Sequence, residues 1–398
     1  MTNRRNIIIS IAAAAVLAAG GGTALAVSGS HGHTAADTHA TLTAAGCHGP
    51  AGAAYVADPG YQGFTAVNTA NCAILQTYNV DDLGVPGDSG DYNYTGSAPG
   101  IAMSGSNLWF AVAATDNVAV IDSATLDPSN YNPAETLIPV GFMPQALAAT
   151  PDGSQVWVVD SGPQTSTSTL WGISIIDTSS NTVTRHFSLV GDPTDVAFSP
   201  NGQNAYVTTS NGLYIYSVAN AKQVGFIAGL GSPKSVTVSP DGSSVYVTET
   251  SDNKLATIST ATNQVVRTTR VGQEPWQAVV SSDGSTVYVV NPDSDTISVV
   301  NAANGKVETS YEVAGVPDTL GLTPNGKQLW VAGDDSGIIS VINTATGRRV
   351  GSNNLGGYGA NSGDGLNPTD MVLTSTPSPG SSGPAFKLNT PAQARANG

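Results

Sequence analysis

Residues 232–272 read SPKSVTVSPDGSSVYVTETSDNKLATISTATNQVVRTTRVG, four runs of alternating apolar and polar residues separated by turn residues. Pro233 opens the first run, and Pro240-Asp241-Gly242 turns the chain back. Val245-Tyr246-Val247-Thr248 forms the second run; a polar loop, a third run, a Thr-Ala-Thr-Asn turn and a fourth run ending in Val271-Gly272 follow. A period of two broken by turn signals predicts four short antiparallel strands.

The same plan recurs in fixed register. Pro144, Pro193, Pro233, Pro275 and Pro317 each stand eight residues before the turn residue Asp152, Asn201, Asp241, Asp283 or Asn325, and each turn residue is followed by Gly. Four residues after that Gly comes an aromatic: Trp157, Tyr206, Tyr246, Tyr288 and Trp330. Asp-Gly and Asn-Gly favour tight hairpin turns, and an aromatic on the next strand suits a half-buried sheet face.

Two degenerate copies complete the series. Pro99 leads through Ser104-Gly105 to Trp109, while Pro368-Thr369-Asp370-Met371-Val372-Leu373 is a first strand with no second strand behind it. The missing strands stand at the other end, in 54–57, 64–67 and 74–78. Four-stranded units at a period of roughly 40 to 50 residues define propeller blades. The expected fold is all-β: a seven-bladed β-propeller of four-stranded antiparallel blades, its closing blade shared by N- and C-terminal strands so that no edge stays open.

Val-Tyr-Val-Thr-Glu-Thr (245–250), Val-Tyr-Val-Val-Asn-Pro (287–292) and Ala-Tyr-Val-Thr-Thr-Ser (205–210) resemble the YVTN repeats of YncE-like and archaeal surface-layer-type propellers. The resemblance spans about residues 53–374. It implies an extracytoplasmic protein with no shared catalytic motif. The WD40 pattern of Trp-Asp ends and Gly-His starts is lacking.

The 398-residue chain is 40% hydrophobic and 11% charged, with 45 Gly and a net charge of −15. That balance disfavours nucleic acid and anionic lipid as partners. Residues 1–26 read as a signal peptide: Arg4 and Arg5, an apolar stretch from Ile7 to Ala19, and Ala24-Leu25-Ala26 as a cleavage site. Retained uncleaved, the same stretch would be a membrane anchor. Arg4-Arg5 has the look of a twin-arginine signal. Residues 27–46 form a linker, 47–374 the propeller, and 375–398 a disordered Pro/Gly/Ser-rich tail. His31, His33, His39 and His48 sit on or beside the linker as a solvated tether without fixed metal geometry.

Cys47 and Cys72 are the only cysteines, and an even pair in an exported chain predicts a disulfide. Cys47 would enter the second strand of the closing blade and Cys72 its Asn-Thr-Ala-Asn turn, both on one face, so the bridge would add about 3 kcal/mol where the ring is joined. Two buried free thiols are the alternative.

Long insertions mark a functional face. Residues 81–100, 351–367 and 161–169 fall on the top of the propeller, and only 124–136 falls on the bottom. The top loops are rich in acids, among them Asp58, Asp81, Asp82, Asp88, Asp91, Asp116, Asp160, Asp192, Glu249, Asp252, Glu274, Asp293, Asp295, Asp334, Asp335 and Asp364, with Tyr61, Tyr92, Tyr94, Trp276 and Tyr358 between them. Such a crown suits Ca²⁺, a cationic partner or a glycan; turn chemistry explains the same acids equally well.

Residues just after each opening Pro line the channel, which places Asp195, Asp318 and Asp370 there with Trp276 and Lys234 as neighbours. They could hold a cation, or hydrogen-bond nearby backbone. Within the blades His186 is the only histidine, on an outer strand, so no Ser-His-Asp or His-metal centre is expected. No haem, phosphate-loop or HExxH motif occurs. The expected function is a binding or scaffold module of the cell envelope or extracellular space, monomeric, with a protein or cell-wall glycan as partner. The alternative is a lactonase- or lyase-like propeller enzyme acting at the channel mouth.

Overall fold

A computed structural model describes residues 52–58, 63–72, 74–79, 100–123, 136–162, 171–313, 315–333, 338–354 and 370–373. The signal peptide, linker, tail and most of the four long insertions lie outside the described residues, as does Cys47.

Seven four-stranded antiparallel sheets make the blades. Blade 1 contains β1 (Ala53–Asp58), β2 (Gly63–Asn68) and β3 (Ile74–Asn79), and blade 2 contains β4 (Ile101–Ser104), β5 (Asn107–Val112), β6 (Asn117–Asp122) and β7 (Thr136–Pro139). Blade 3 runs through β8 (Pro144–Ala149), β9 (Gln155–Ser161), β10 (Trp171–Asp177) and β11 (Thr182–Ser188). Blade 4 has β12 (Pro193–Phe198), β13 (Asn204–Thr209), β14 (Gly212–Ser217) and β15 (Lys222–Ile227). In blade 5 come β16 (Pro233–Val238), β17 (Ser244–Glu249), β18 (Lys254–Ser259) and β19 (Gln264–Arg270). Blade 6 has β20 (Ala278–Val280), β21 (Thr286–Asn291), β22 (Thr296–Asn301) and β23 (Val307–Glu312), and blade 7 has β24 (Pro317–Leu322), β25 (Gln328–Gly333), β26 (Ile338–Asn343) and β27 (Arg349–Asn354). The last strand, β28 (Asp370–Leu373), pairs antiparallel with β1, Val56 opposite Met371, and becomes the innermost strand of blade 1. Inner strands touch their neighbours all the way around, β28 meeting both β24 and β4, so the ring is closed.

The hydrophobic core is divided into seven clusters, each lying between two consecutive blades. The repeated aromatic of the second strand explains this. Trp109 packs with Leu147 and Val158 of blade 3, Trp157 with Val196 and Val207 of blade 4, and Trp330 with Val56 and Met371 of blade 1. A single blade leaves both broad faces apolar, and the next blade covers each of them.

The hairpin turns repeat atom for atom. Thr150 Oγ1 donates to Asp152 Oδ1 at 2.6 Å, which also accepts the Ser154 amide at 3.0 Å. Ser199/Asn201, Ser239/Asp241, Ser281/Asp283 and Thr323/Asn325 make the same bond at 2.5–2.8 Å. These donors stabilise the carboxylate: the Ser281 hydroxyl, then the amide and hydroxyl of Ser285, hold Asp283 down at about 2.

Polar side chains fasten one blade to the next. Ser161 Oγ donates to the Pro193 carbonyl at 2.7 Å, Thr248 Oγ1 to the Trp276 carbonyl at 2.8 Å, and Tyr311 Oη to the Thr344 carbonyl at 2.7 Å. Arg267 spans to the carbonyls of Ala302 and Ala303, and Arg185 to that of Asn220.

Truncating the fully buried Trp157 to Ala removes the anchor of the blade 3–4 cluster and should cost about 3–5 kcal/mol in urea unfolding. A loss below about 1 kcal/mol would contradict this assignment of the core.

Candidate binding site at the channel mouth

Four of the opening prolines are followed by an irregularity. The register slips between Pro144 and Ala146, Pro193 and Asp195, Pro233 and Val236, and Pro317 and Thr319. Such bulges leave a residue unpaired and re-aim its side chain. Gln145, Thr194, Lys234 and Asp318 are therefore presented outside the regular ladder, and Trp276 holds the same place just before β20.

The sequence alone suggests that Asp195, Asp318, Asp370, Trp276 and Lys234 form one ring. They do not stand alike in the ladder. Lys234, Trp276 and Asp318 directly follow their prolines on blades 5, 6 and 7, whereas Asp195 and Asp370 follow by two residues. Asp195 Oδ2 accepts the Val236 amide of the next blade at 2.9 Å, and its Oδ1 accepts the Val196 amide at 2.7 Å. Gln277 takes the matching role between blades 6 and 7, its Oε1 accepting the Leu320 amide at 2.8 Å and the Thr319 hydroxyl at 2.9 Å. Asp195 is thus a fastener first. Asp370 lies opposite Ala57 at the start of β28, its side chain outside the described residues. Among the described residues no three His, Cys, Asp or Glu converge to hold a metal ion.

The residues at the channel mouth have their own chemistry. Lys234 Nζ sits 5.0 Å from the centroid of the Trp276 ring, a cation–π contact. Partial burial pulls the ammonium down from its ordinary value, while Asp195, Asp192, Asp318 and Glu274 act against that pull. Asp318 is 5% exposed. Burial pushes Asp192 up, opposed by Lys234 and a Ser161 hydrogen bond. Burial and the neighbouring Asp293 carboxyl raise Glu274. One indole face, one ammonium and several carboxylates therefore share a restricted volume on a rigid ring. Six inner strands line an axial cavity of about 400 Å³, bounded by Asp195, Ser235 and Gln277 together with Ile101, Met103, Leu147 and Met371.

Several acids of the predicted crown have local duties. Asp116 Oδ1 accepts the Met143 amide at 2.9 Å, Asp295 Oδ1 the Val316 amide at 3.0 Å, and Asn253 Oδ1 that of Glu274 at 2.8 Å. Met143, Glu274 and Val316 all precede a proline and all have positive φ, a conformation disfavoured there, and the cap from the preceding blade holds it. Asp81, Asp82, Asp88, Asp91, Asp334, Asp335 and Asp364 of the crown lie outside the described residues. No described cysteine is free, and Cys47, the partner expected for Cys72, falls outside the described residues.

One polar cluster of Ser, His and Asp was not foreseen from the sequence. Asp160, Ser174 and His186 meet on neighbouring strands of blade 3. Ser174 Oγ donates to Asp160 Oδ2 at 2.7 Å and lies 3.1 Å from His186 Nδ1, which is 3.5 Å from Asp160 Oδ2. Sequence distance hid the cluster, because β9, β10 and β11 bring the three residues side by side. Its arrangement is not that of a catalytic triad, in which the imidazole bridges acid and serine through its two nitrogens. Here both contacts use Nδ1, and Ser174 Oγ also accepts the Gly141 amide at 3.0 Å. Blade 6 repeats the scheme without a histidine: Asn291 Nδ2 donates to Ser298 Oγ at 3.1 Å, and Ser298 Oγ accepts the Gly272 amide at 3.2 Å. Gly at the crossover follows from this packing, since a Cβ on Gly141 would stand 2.4 Å from the Asp160 carboxyl group. The cluster clamps the chain as it passes into the blade.

Comparison with known proteins agrees with the architecture. The model of the choice-of-anchor I domain matches residues 53–296. No curated protein matches the chain. Among solved structures, a functionally unknown protein from Desulfotomaculum acetoxidans DSM 771 superimposes with a TM-score of 0.65 at 16% identity, over 81% of this chain and 98% of that one. Kuenenia stuttgartiensis hydrazine synthase superimposes with a TM-score of 0.54 at 21% identity, over 65% of this chain and 80% of that one. At these identities the likeness is one of fold.

The Asp160 carboxylate raises His186 above 6.5, and loss of water raises Asp160 itself. Both shifts mean that the folded state holds these protons more tightly than the unfolded one. The stability contributed by the imidazolium is complete below the unfolded value near 6.5 and is lost as pH rises through the raised folded value. Between about pH 5.5 and 8 the urea midpoint should therefore fall more steeply for the native sequence than for His186→Gln; parallel curves would contradict the pairing.

Proposed function

The chain belongs to the choice-of-anchor I domain family, and from that premise we propose that it is an exported propeller held at the cell surface, non-catalytic, presenting its channel mouth as a binding face. The family name points to a surface-anchored module. Export through the N-terminal signal, and the YVTN character of the repeats, are parts of this reading that rest on the sequence.

The observation that carries the binding role is the Lys234–Trp276 contact set among Asp192, Asp195, Asp318 and Glu274. An indole face flanked by one strong donor and several acceptors suits a sugar. The apolar face of a pyranose lies on the ring, and its hydroxyls divide between the ammonium and the carboxylates. These groups stand on blades already fastened to each other, so little ordering is needed on binding. A cell-envelope glycan is the ligand class this site fits best. A cation such as Ca²⁺ is the second ligand proposed for the acidic face, drawn from the carboxylates alone.

Tryptophan fluorescence and thermal melting of the protein, titrated with cell-wall glycan fragments and separately with Ca²⁺ and EDTA, test the assignment. A saturable glycan response is expected, weakened at least about tenfold in Trp276→Ala and moved little in Trp171→Ala. A response to Ca²⁺ alone would favour the cation. No response to any of them, or one indifferent to Trp276, would overturn the site.

A further inference from the structure

The outer strands of blades 4 and 5 differ from the rest of the surface. Of the large apolar side chains that stand exposed among the described residues, Val224 and Phe226 lie on β15, and Val265 and Val266 on β19, with Val224 57% and Val266 59% exposed. Each strand ends its sheet, so one backbone edge of each is unpaired. Edge strands are usually protected by proline, by charge or by cover, because a bare edge invites another strand. β19, Gln-Val-Val-Arg-Thr-Thr-Arg, has no Pro and no Gly, consists largely of β-branched residues, and is seven residues long, with one bulge at Val266 in its ladder to β18. β15 contains Gly225 and is the weaker template.

The charge of this rim is opposite to that of the molecule. The chain carries 29 acids against 14 Lys and Arg, yet β11, β15 and β19 contain Arg185, Lys222, Arg267 and Arg270 and no acid at all. On the next blade β23 carries Glu308 and Glu312, so basicity is not a general property of outer strands. Arg270 stands exposed at the end of β19, opposite Lys254 in the ladder. Among the described residues neither Arg270 nor Lys222 has an ion-pair partner.

We propose that the outer edge of β19 receives an extended, acidic segment of a partner protein as a fifth strand of blade 5. Backbone ladder bonds supply the pairing, and Val265 and Val266 contact apolar side chains of the incoming strand. Arg270, exposed at the end of the strand, selects an acidic residue beside those apolar ones. A second copy of this chain is the disfavoured occupant, because two β19 edges would bring like charges together.

The test uses the folded protein with synthetic alternating glutamate–valine and lysine–valine octapeptides, read by fluorescence anisotropy and by amide hydrogen exchange. The glutamate peptide should bind, weaken as salt rises, and protect amides in 264–270. Val266→Glu and Arg270→Glu should each lower its affinity by at least about tenfold, with the melting temperature unchanged because both positions are exposed. Equal binding of the lysine peptide, or protection confined to other strands, would overturn the proposal. So would concentration-dependent dimerisation of the peptide-free protein that Val266→Glu abolishes.

Discussion

The antiparallel pairing of β28 with β1 is the contact on which the ring depends. Every other blade is a continuous stretch of chain, so its own sheet forms locally. Blade 1 is assembled from residues more than 300 positions apart, and its inner strand reaches the others only if the whole circle is made. Because the hydrophobic core lies between blades, an open ring would leave two broad apolar faces in water. Closure converts seven two-sided sheets into seven shared interfaces.

Much of the polar chemistry serves the same end. Hydroxyls at Ser161 and Thr248, the Asp195 carboxylate, the Gln277 amide and the Arg267 guanidinium all bond backbone of the following blade. Asp116 and Asp295 cap amides where the chain crosses between blades. An acidic composition is thus partly a matter of construction: carboxylates suit positions where several backbone N–H groups converge and turns must be held. What remains for recognition is the smaller group at the channel mouth, where bulges take Lys234 and Asp318 out of the ladder and Trp276 stands just before β20.

The blade plan was legible because its determinants are local. A proline, a turn residue eight positions on and an aromatic on the next strand each act within one hairpin, and the seven four-stranded sheets follow them closely. The ring closure was legible too, since an orphan first strand and an orphan set of three later strands complete each other. The places of the channel residues were less so. Asp195, two residues after its proline, stays in the ladder opposite Thr208 and fastens the next blade, whereas a bulge takes Asp318, one residue after its proline, out of it. The Asp160–Ser174–His186 cluster was missed because no local spacing joins its members; the lateral order of three strands does. The inter-blade role of Arg185 and Arg267 had a usable signal, since each stands eight residues after the residue that opens the preceding turn, Asp177 and Ser259.

The most direct test of the account is amide hydrogen exchange on the protein truncated after Asn367, compared with the full chain. If β28 closes the ring, truncation will lower protection throughout β1 and β2, and the loss will spread to β24–β27 and β4–β6 on either side while the hairpin turns of blades 4 and 5 keep theirs longest. Unchanged protection in β1 and in both neighbouring blades would show that the propeller holds without its last strand, and the central claim would fail.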